Sequence, residues 1–115
     1  MMKGRLIMNL SELCEKLSLT VVAGDTGKTF DGVYAGDLLS RAMSHVEADN
    51  LWITIMSNIN VIAVASLTEA SAVLLAEDVE LVPEALAAAR EKEITVLSSP
   101  LTVYELCVKI GELAS

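Results

Sequence analysis

The stretch from Ile59 to Leu67 constrains the fold more than any other part of this chain. Ile59, Val61, Ile62, Ala63, Val64, Ala65 and Leu67 point in nearly every direction around a helical axis. A helix that is apolar on all sides has to be buried on all sides. One side can rest on a sheet, and the opposite side then needs a second layer. Three sources of that layer are open: a subunit interface, the chain's own N-terminal segments, or a groove for a ligand or partner protein. The first places Val61, Val64 and Ala65 at a two-fold contact between copies.

The flanking segments supply the sheet. Leu51–Met56 reads as a strand, with Ser57 and Asn58 capping the helix that follows. Ala72–Ala76 is a second strand, and a helix begins near Pro83 with Val82, Ala85, Leu86 and Ala89 on one face. Ile94–Leu97 is a third strand, followed by a Thr102/Glu105 capping box and a stripe of Val103, Leu106, Cys107 and Ile110. These strands are short and lack polar alternation, as in parallel sheets covered on both faces. Right-handed crossovers make their pairing parallel. Earlier in the chain, Asn9 caps a helix carrying Leu10, Leu13, Cys14 and Leu17. Leu19–Ala23 and Thr29–Ala35 are extended, and Asp37 is the expected cap of a helix over Leu38–Ser44. The expected class is α/β: a small layered domain with a mainly parallel sheet and helices on both faces.

With 115 residues, the chain suits one domain, placed at 9–115 behind a flexible segment 1–8. Eight basic residues, scattered along the chain, face 16 acidic ones, for a formal charge of -8. Such a surface repels phosphate backbones, so nucleic acid is set aside. No run approaches the roughly 20 apolar residues of a membrane span, and Met1–Met8 lacks the features of a signal peptide. The expectation is a cytoplasmic protein with no membrane partner. Cys14 and Cys107 fall on apolar helical stripes and read as core thiols.

Candidate chemistry is sparse. Gly24-Asp25-Thr26-Gly27-Lys28-Thr29 has two residues between its first glycine and its Gly-Lys, where a phosphate loop has four. Extended chain rather than a helix follows, so a turn is expected. His45 is the sole histidine and has no defensible metal-binding or acid–base partners. No catalytic residue, metal site or cofactor is assigned. Architecture supplies the best ligand locus, because helix N-termini and loops converge beyond the carboxyl ends of parallel strands. Ser57, Asn58, Ser98 and Ser99 are the candidate ligand-binding residues there.

The pattern resembles the DRTGG domain family across about residues 9–113. The likeness rests on Gly32-Val33-Tyr34-Ala35-Gly36-Asp37-Leu38-Leu39-Ser40, Leu51-Trp52-Ile53-Thr54-Ile55, Asn60-Val61-Ile62-Ala63-Val64-Ala65 and Ile94 to Pro100, in that order. A similar fold begins HPr kinase/phosphorylase. The family's stand-alone and accessory members imply regulation or assembly, often as a dimer, with a weak link to redox or fermentative metabolism. The naming motif is replaced: Met56-Ser57-Asn58 stands for Gly-Asp-Arg and Ala76-Glu77-Asp78 for Thr-Gly-Gly. An arginine fork and two permissive glycines suited to phosphate are thereby lost.

The resulting expectation is a non-catalytic regulatory or assembly domain acting as a homodimer, with a partner enzyme a further possibility. The alternative is a sensor of a small molecule, a nucleotide or phosphorylated metabolite, bound at helix N-termini beyond the sheet.

Overall fold

Every residue of Leu51–Thr54 and of Ala72–Leu75 is buried, so both faces of the central strands are covered. The computed structural model describes residues 7–114. In chain order its elements are β1 (Ile7–Asn9), α1 (Leu10–Leu17), β2 (Thr20–Ala23), β3 (Thr29–Asp31), β4 (Val33–Ala35) and α2 (Leu39–His45). They continue with β5 (Leu51–Thr54), α3 (Ile59–Thr68), β6 (Ala72–Leu75), α4 (Pro83–Glu91), β7 (Val96–Ser98) and α5 (Val103–Ala114). The main sheet has the order β2-β7-β6-β5-β4. Its β4, β5, β6 and β7 run parallel, and β2 joins as an antiparallel edge. β1 and β3 form a separate antiparallel pair.

Alternation along the strands divides the interior into two cores. Trp52, Val73, Leu75 and Val96 face one way and pack with α2, α3 and α4. Leu51, Ile53, Ala72, Leu74 and Leu97 face the other, against Phe30, Leu10 and Leu13 of the N-terminal region and Leu106 and Ile110 of α5. The expected class, with helices on both faces of a mainly parallel sheet, is the observed one.

The apolar helix is covered by its own chain. α3 packs against the sheet and against both α2 and α4, which closes three of its sides. Val61, Val64 and Ala65, expected at a two-fold contact, are 0%, 3% and 0% exposed within this core. A second copy cannot reach them without unpacking the helix. The reason is the flanking helices, whose positions periodicity does not reveal. Ile59, Ala63 and Leu67, spaced four apart, form the exposed side.

Local chemistry sets the element ends. The Asn9 side chain accepts from the Ser11 amide at 2.8 Å and the Asn58 side chain from the Asn60 amide at 2.9 Å. In the last helix, Thr102 and Glu105 exchange backbone-to-side-chain hydrogen bonds at 2.9 and 3.1 Å, the reciprocal box read from sequence. Gly24 turns the chain out of β2 at φ +86°, where a Cβ would meet the Thr95 Cα at 2.5 Å. Only glycine fits such an approach. Of the leading segment 1–8, residues 1–6 lie outside the described residues, while Ile7 and Met8 pair with Asp31 and Phe30. Among the described residues no helix is long and apolar enough to cross a membrane.

This packing separates two roles for the middle helix. Val61→Glu would bury a carboxylate without a partner, so the variant is expected to lose its cooperative unfolding transition in urea and its native circular dichroism. A folded, soluble Val61→Glu protein would place Val61 outside the core.

Candidate functional site

Four strand ends converge on one side of the sheet, where open parallel architectures bind ligands. After β4, the Gly36 carbonyl accepts the Trp52 indole N–H at 3.1 Å. The Asp37 carboxylate then accepts from the Thr54 hydroxyl at 2.8 Å and the Ile55 amide at 3.0 Å. Asp37 therefore ties the end of β4 to the end of β5 and does not cap α2. Leu38 occupies that N-cap position without a side-chain hydrogen bond. Sequence reasoning assigned Asp37 by proximity to the helix; the competing amide and hydroxyl come from a strand 17 and 18 residues away.

After β6, Glu77 and Asp78 both adopt left-handed backbone, at φ 60° and 57°. Side chains other than glycine resist this conformation. The Glu77 and Asp78 amides donate to the Leu101 and Ser99 carbonyls at 2.9 and 3.0 Å. Both donors are thus engaged in holding the loop after β7, and neither points to a free anion.

The four ligand candidates take different places. Asn58 caps α3, while the Ser57 carbonyl accepts from the Val82 amide at 3.1 Å, joining two loops. Ser99 is 2% exposed, and its hydroxyl accepts from the Leu101 amide at 3.1 Å. Ser98 lines a cleft. That cleft, of about 310 Å³, is formed by Thr20, Val22, Val79, Glu80, Leu81, Leu86 and Ser98. Four apolar side chains make its walls, two hydroxyls and one carboxylate its polar groups. The sequence reading missed Thr20 and Val22 because the direction of β2 is not visible locally. Running antiparallel, β2 begins where β7 ends, with Thr20 opposite Ser98.

The remaining reactive groups have structural surroundings. His45 Nδ1 lies 3.0 Å from the Arg41 carbonyl and 2.9 Å from the Ser44 hydroxyl, and its ring stacks with Tyr34 at 6.3 Å between centroids. Cys14 and Cys107 are half-buried against the core on the α1/α5 side, and burial pushes both thiols above the ordinary value. Among the described residues no group of three or more His, Cys, Asp or Glu could hold a metal ion. The Gly24–Lys28 segment is a turn whose Asp25 carboxylate accepts from the Gly27 amide at 2.8 Å, as read from its short spacing.

The left-handed pair allows a direct measurement. Glycine relieves the left-handed penalty of 1–2 kcal/mol and returns part of it as unfolded-chain entropy. Glu77→Gly is therefore expected to raise the unfolding free energy by about 0.5–1 kcal/mol in urea titrations, with Asp78→Gly smaller because Asp tolerates this conformation better. A loss of stability in Glu77→Gly would show that the Glu77 side chain itself holds the loop.

No protein-family model matches the chain, and no curated protein does. A solved structure from Clostridium perfringens, the CBS and DRTGG domains of the regulatory region of a pyrophosphatase complexed with the activator diadenosine tetraphosphate, is similar with a TM-score of 0.75 and 16% identity. The likeness covers 89% of this chain and 45% of that one, so the chain spans less than half of that structure's length. At this identity the comparison supports a DRTGG-like fold.

Proposed function

We propose that the chain is a non-catalytic regulatory domain that senses a small molecule in the cleft at the carboxyl end of β7. The observation that carries this reading is the cleft's composition. Val22, Val79, Leu81 and Leu86 provide apolar walls for a flat ring, and the Thr20 and Ser98 hydroxyls can pair with polar groups on its edge. Glu80 is its one charged residue, which disfavours a phosphate inside and favours a nucleobase-like heterocycle with any charged tail directed to solvent. Support for a regulatory role comes from the fold, which resembles part of a pyrophosphatase's regulatory region solved with an adenine-containing activator.

The test compares adenosine, ATP and diadenosine tetraphosphate by thermal shift and calorimetry. Adenosine is expected to bind, with phosphates adding little. Leu86→Trp, which fills the cleft from the half-buried α4 position, is expected to weaken binding at least tenfold, about 1.4 kcal/mol, while leaving the fold intact. Equal affinity in wild type and Leu86→Trp would remove the ligand from this cleft.

A second reading, assembly as a homodimer, has support of its own. Leu38, Met43, Ile59 and Leu67 on the α2/α3 side are 62%, 53%, 41% and 72% exposed, an unusual density of large apolar groups for a solvated helical layer. In this reading they replace Val61, Val64 and Ala65 as the contacts. Light scattering is expected to show a dimer that Leu67→Glu converts to a folded monomer. A wild-type monomer up to hundreds of micromolar, roughly the weak end of protein association, would discard it.

A further inference from the structure

Four charged residues brought together from distant parts of the sequence surround a second cleft, at the opposite end of the sheet. It has a volume of about 500 Å³ and is lined by Gly24, Asp25, Lys28, Arg90 and Glu93. Two cations and two carboxylates share it, and none of the four is ion-paired with a described residue. Exposed charges gain little by pairing in water, so the four stay available to a partner that carries both signs. Here the space between them is of ligand size.

The frame that holds them is pinned on both sides. Gly24 lies against Thr95, and the Thr95 hydroxyl, itself fully buried, donates to the Asp25 carbonyl at 2.7 Å. The Asp25 carboxylate is oriented by the Gly27 amide at 2.8 Å, and the Lys28 carbonyl accepts from the Leu10 amide at 2.9 Å. On the other wall, the Ile94 amide donates to the Ala89 carbonyl at 2.8 Å, closing the end of α4. Glu93 there is held in left-handed backbone at φ 58°. Both walls thus present their charges from backbone that is already ordered, which lowers the cost of binding.

From this arrangement we propose that the cleft binds a small zwitterion of the free amino acid class. The ligand's carboxylate meets Lys28 and Arg90, and its ammonium meets Asp25 and Glu93. A simple anion such as phosphate would satisfy the cations but stand against two carboxylates on a chain of formal charge -8. A simple amine meets the reverse problem. Only a molecule carrying both signs matches the lining. The site is independent of the heterocycle cleft, which uses other residues.

The test is an amide chemical-shift titration of the full chain with each free amino acid, alongside inorganic phosphate and methylamine as single-charge probes. At least one amino acid is expected to give saturable shifts, with a Kd of about 1 mM or tighter, centred on Gly24–Lys28 and Arg90–Glu93. Arg90→Gln and Glu93→Gln, both at exposed positions, are each expected to weaken it at least fivefold with the rest of the spectrum unchanged. Lys28→Gln provides a third variant on the opposite wall. Absence of saturable shifts with every amino acid, equal or tighter binding of phosphate, or shifts that persist in all three variants would overturn the proposal.

Discussion

The central strands are buried on both faces, and nearly every other feature of the molecule answers that constraint. Backbone amides and carbonyls inside an apolar layer have to be paired, which the parallel ladders of β4 to β7 accomplish. Side chains alternating up and down then create two apolar surfaces, so helices are needed on each. The chain supplies α2, α3 and α4 for one surface and α1 with α5 for the other. This distribution explains the unusual apolarity of α3. The flanking helices and the sheet bury Val61, Ile62, Val64 and Ala65, while Ile59, Ala63 and Leu67 stay exposed on the remaining side.

The same constraint gathers the polar chemistry at the two ends of the sheet. Where strands stop, their last carbonyls and amides need new partners. At the carboxyl end, the amides of Gly36, Ala76 and Ser99 donate to the Ile53, Thr54 and Leu75 carbonyls, and Asp37 accepts from the Ile55 amide. At the amino end, Asn50 donates to the Asp31 carbonyl at 2.8 Å, Ser71 to Thr29 at 2.6 Å and Thr95 to Asp25 at 2.7 Å. These buried side chains fasten the excursion from Gly24 to Gly32 onto the sheet. They are hydrogen-bonded structural groups, which is the usual condition of buried polar residues. The side chains left over line the two clefts, among them Thr20 and Ser98 in one and Lys28 and Arg90 in the other.

How much of this was legible followed physical range. Caps and capping boxes are local, and Asn9, Asn58 and the Thr102/Glu105 pair stand as the sequence indicates. Helical and strand periodicity identified the layered α/β class. Whatever depended on distant partners was hidden. Asp37 looked like a cap until β5 placed a hydroxyl and an amide beside it. The burial of Val61, Val64 and Ala65 depended on α2 and α4 flanking α3, and an isotropically apolar helix carries no phase to show it. Ser57, Asn58 and Ser99 lie at the carboxyl end of the sheet, where the Asn58 and Ser99 side chains make local hydrogen bonds. Arg90 and Lys28 are 62 positions apart in the numbering, and only the approach of the β2 turn to the end of α4 joins them.

The left-handed pair after β6 shows how contacts within a fold can hold a backbone that its side chains resist. Two consecutive glycines would adopt that backbone freely, leaving their amides available for several partners. With Glu77 and Asp78 the same backbone persists because the amides are held by the Leu101 and Ser99 carbonyls. The loop-to-loop connection accounts for the conformation. With that connection in place, carrying Glu77 and Asp78 instead of glycine costs about 1–2 kcal/mol at each site, which a folded domain can absorb.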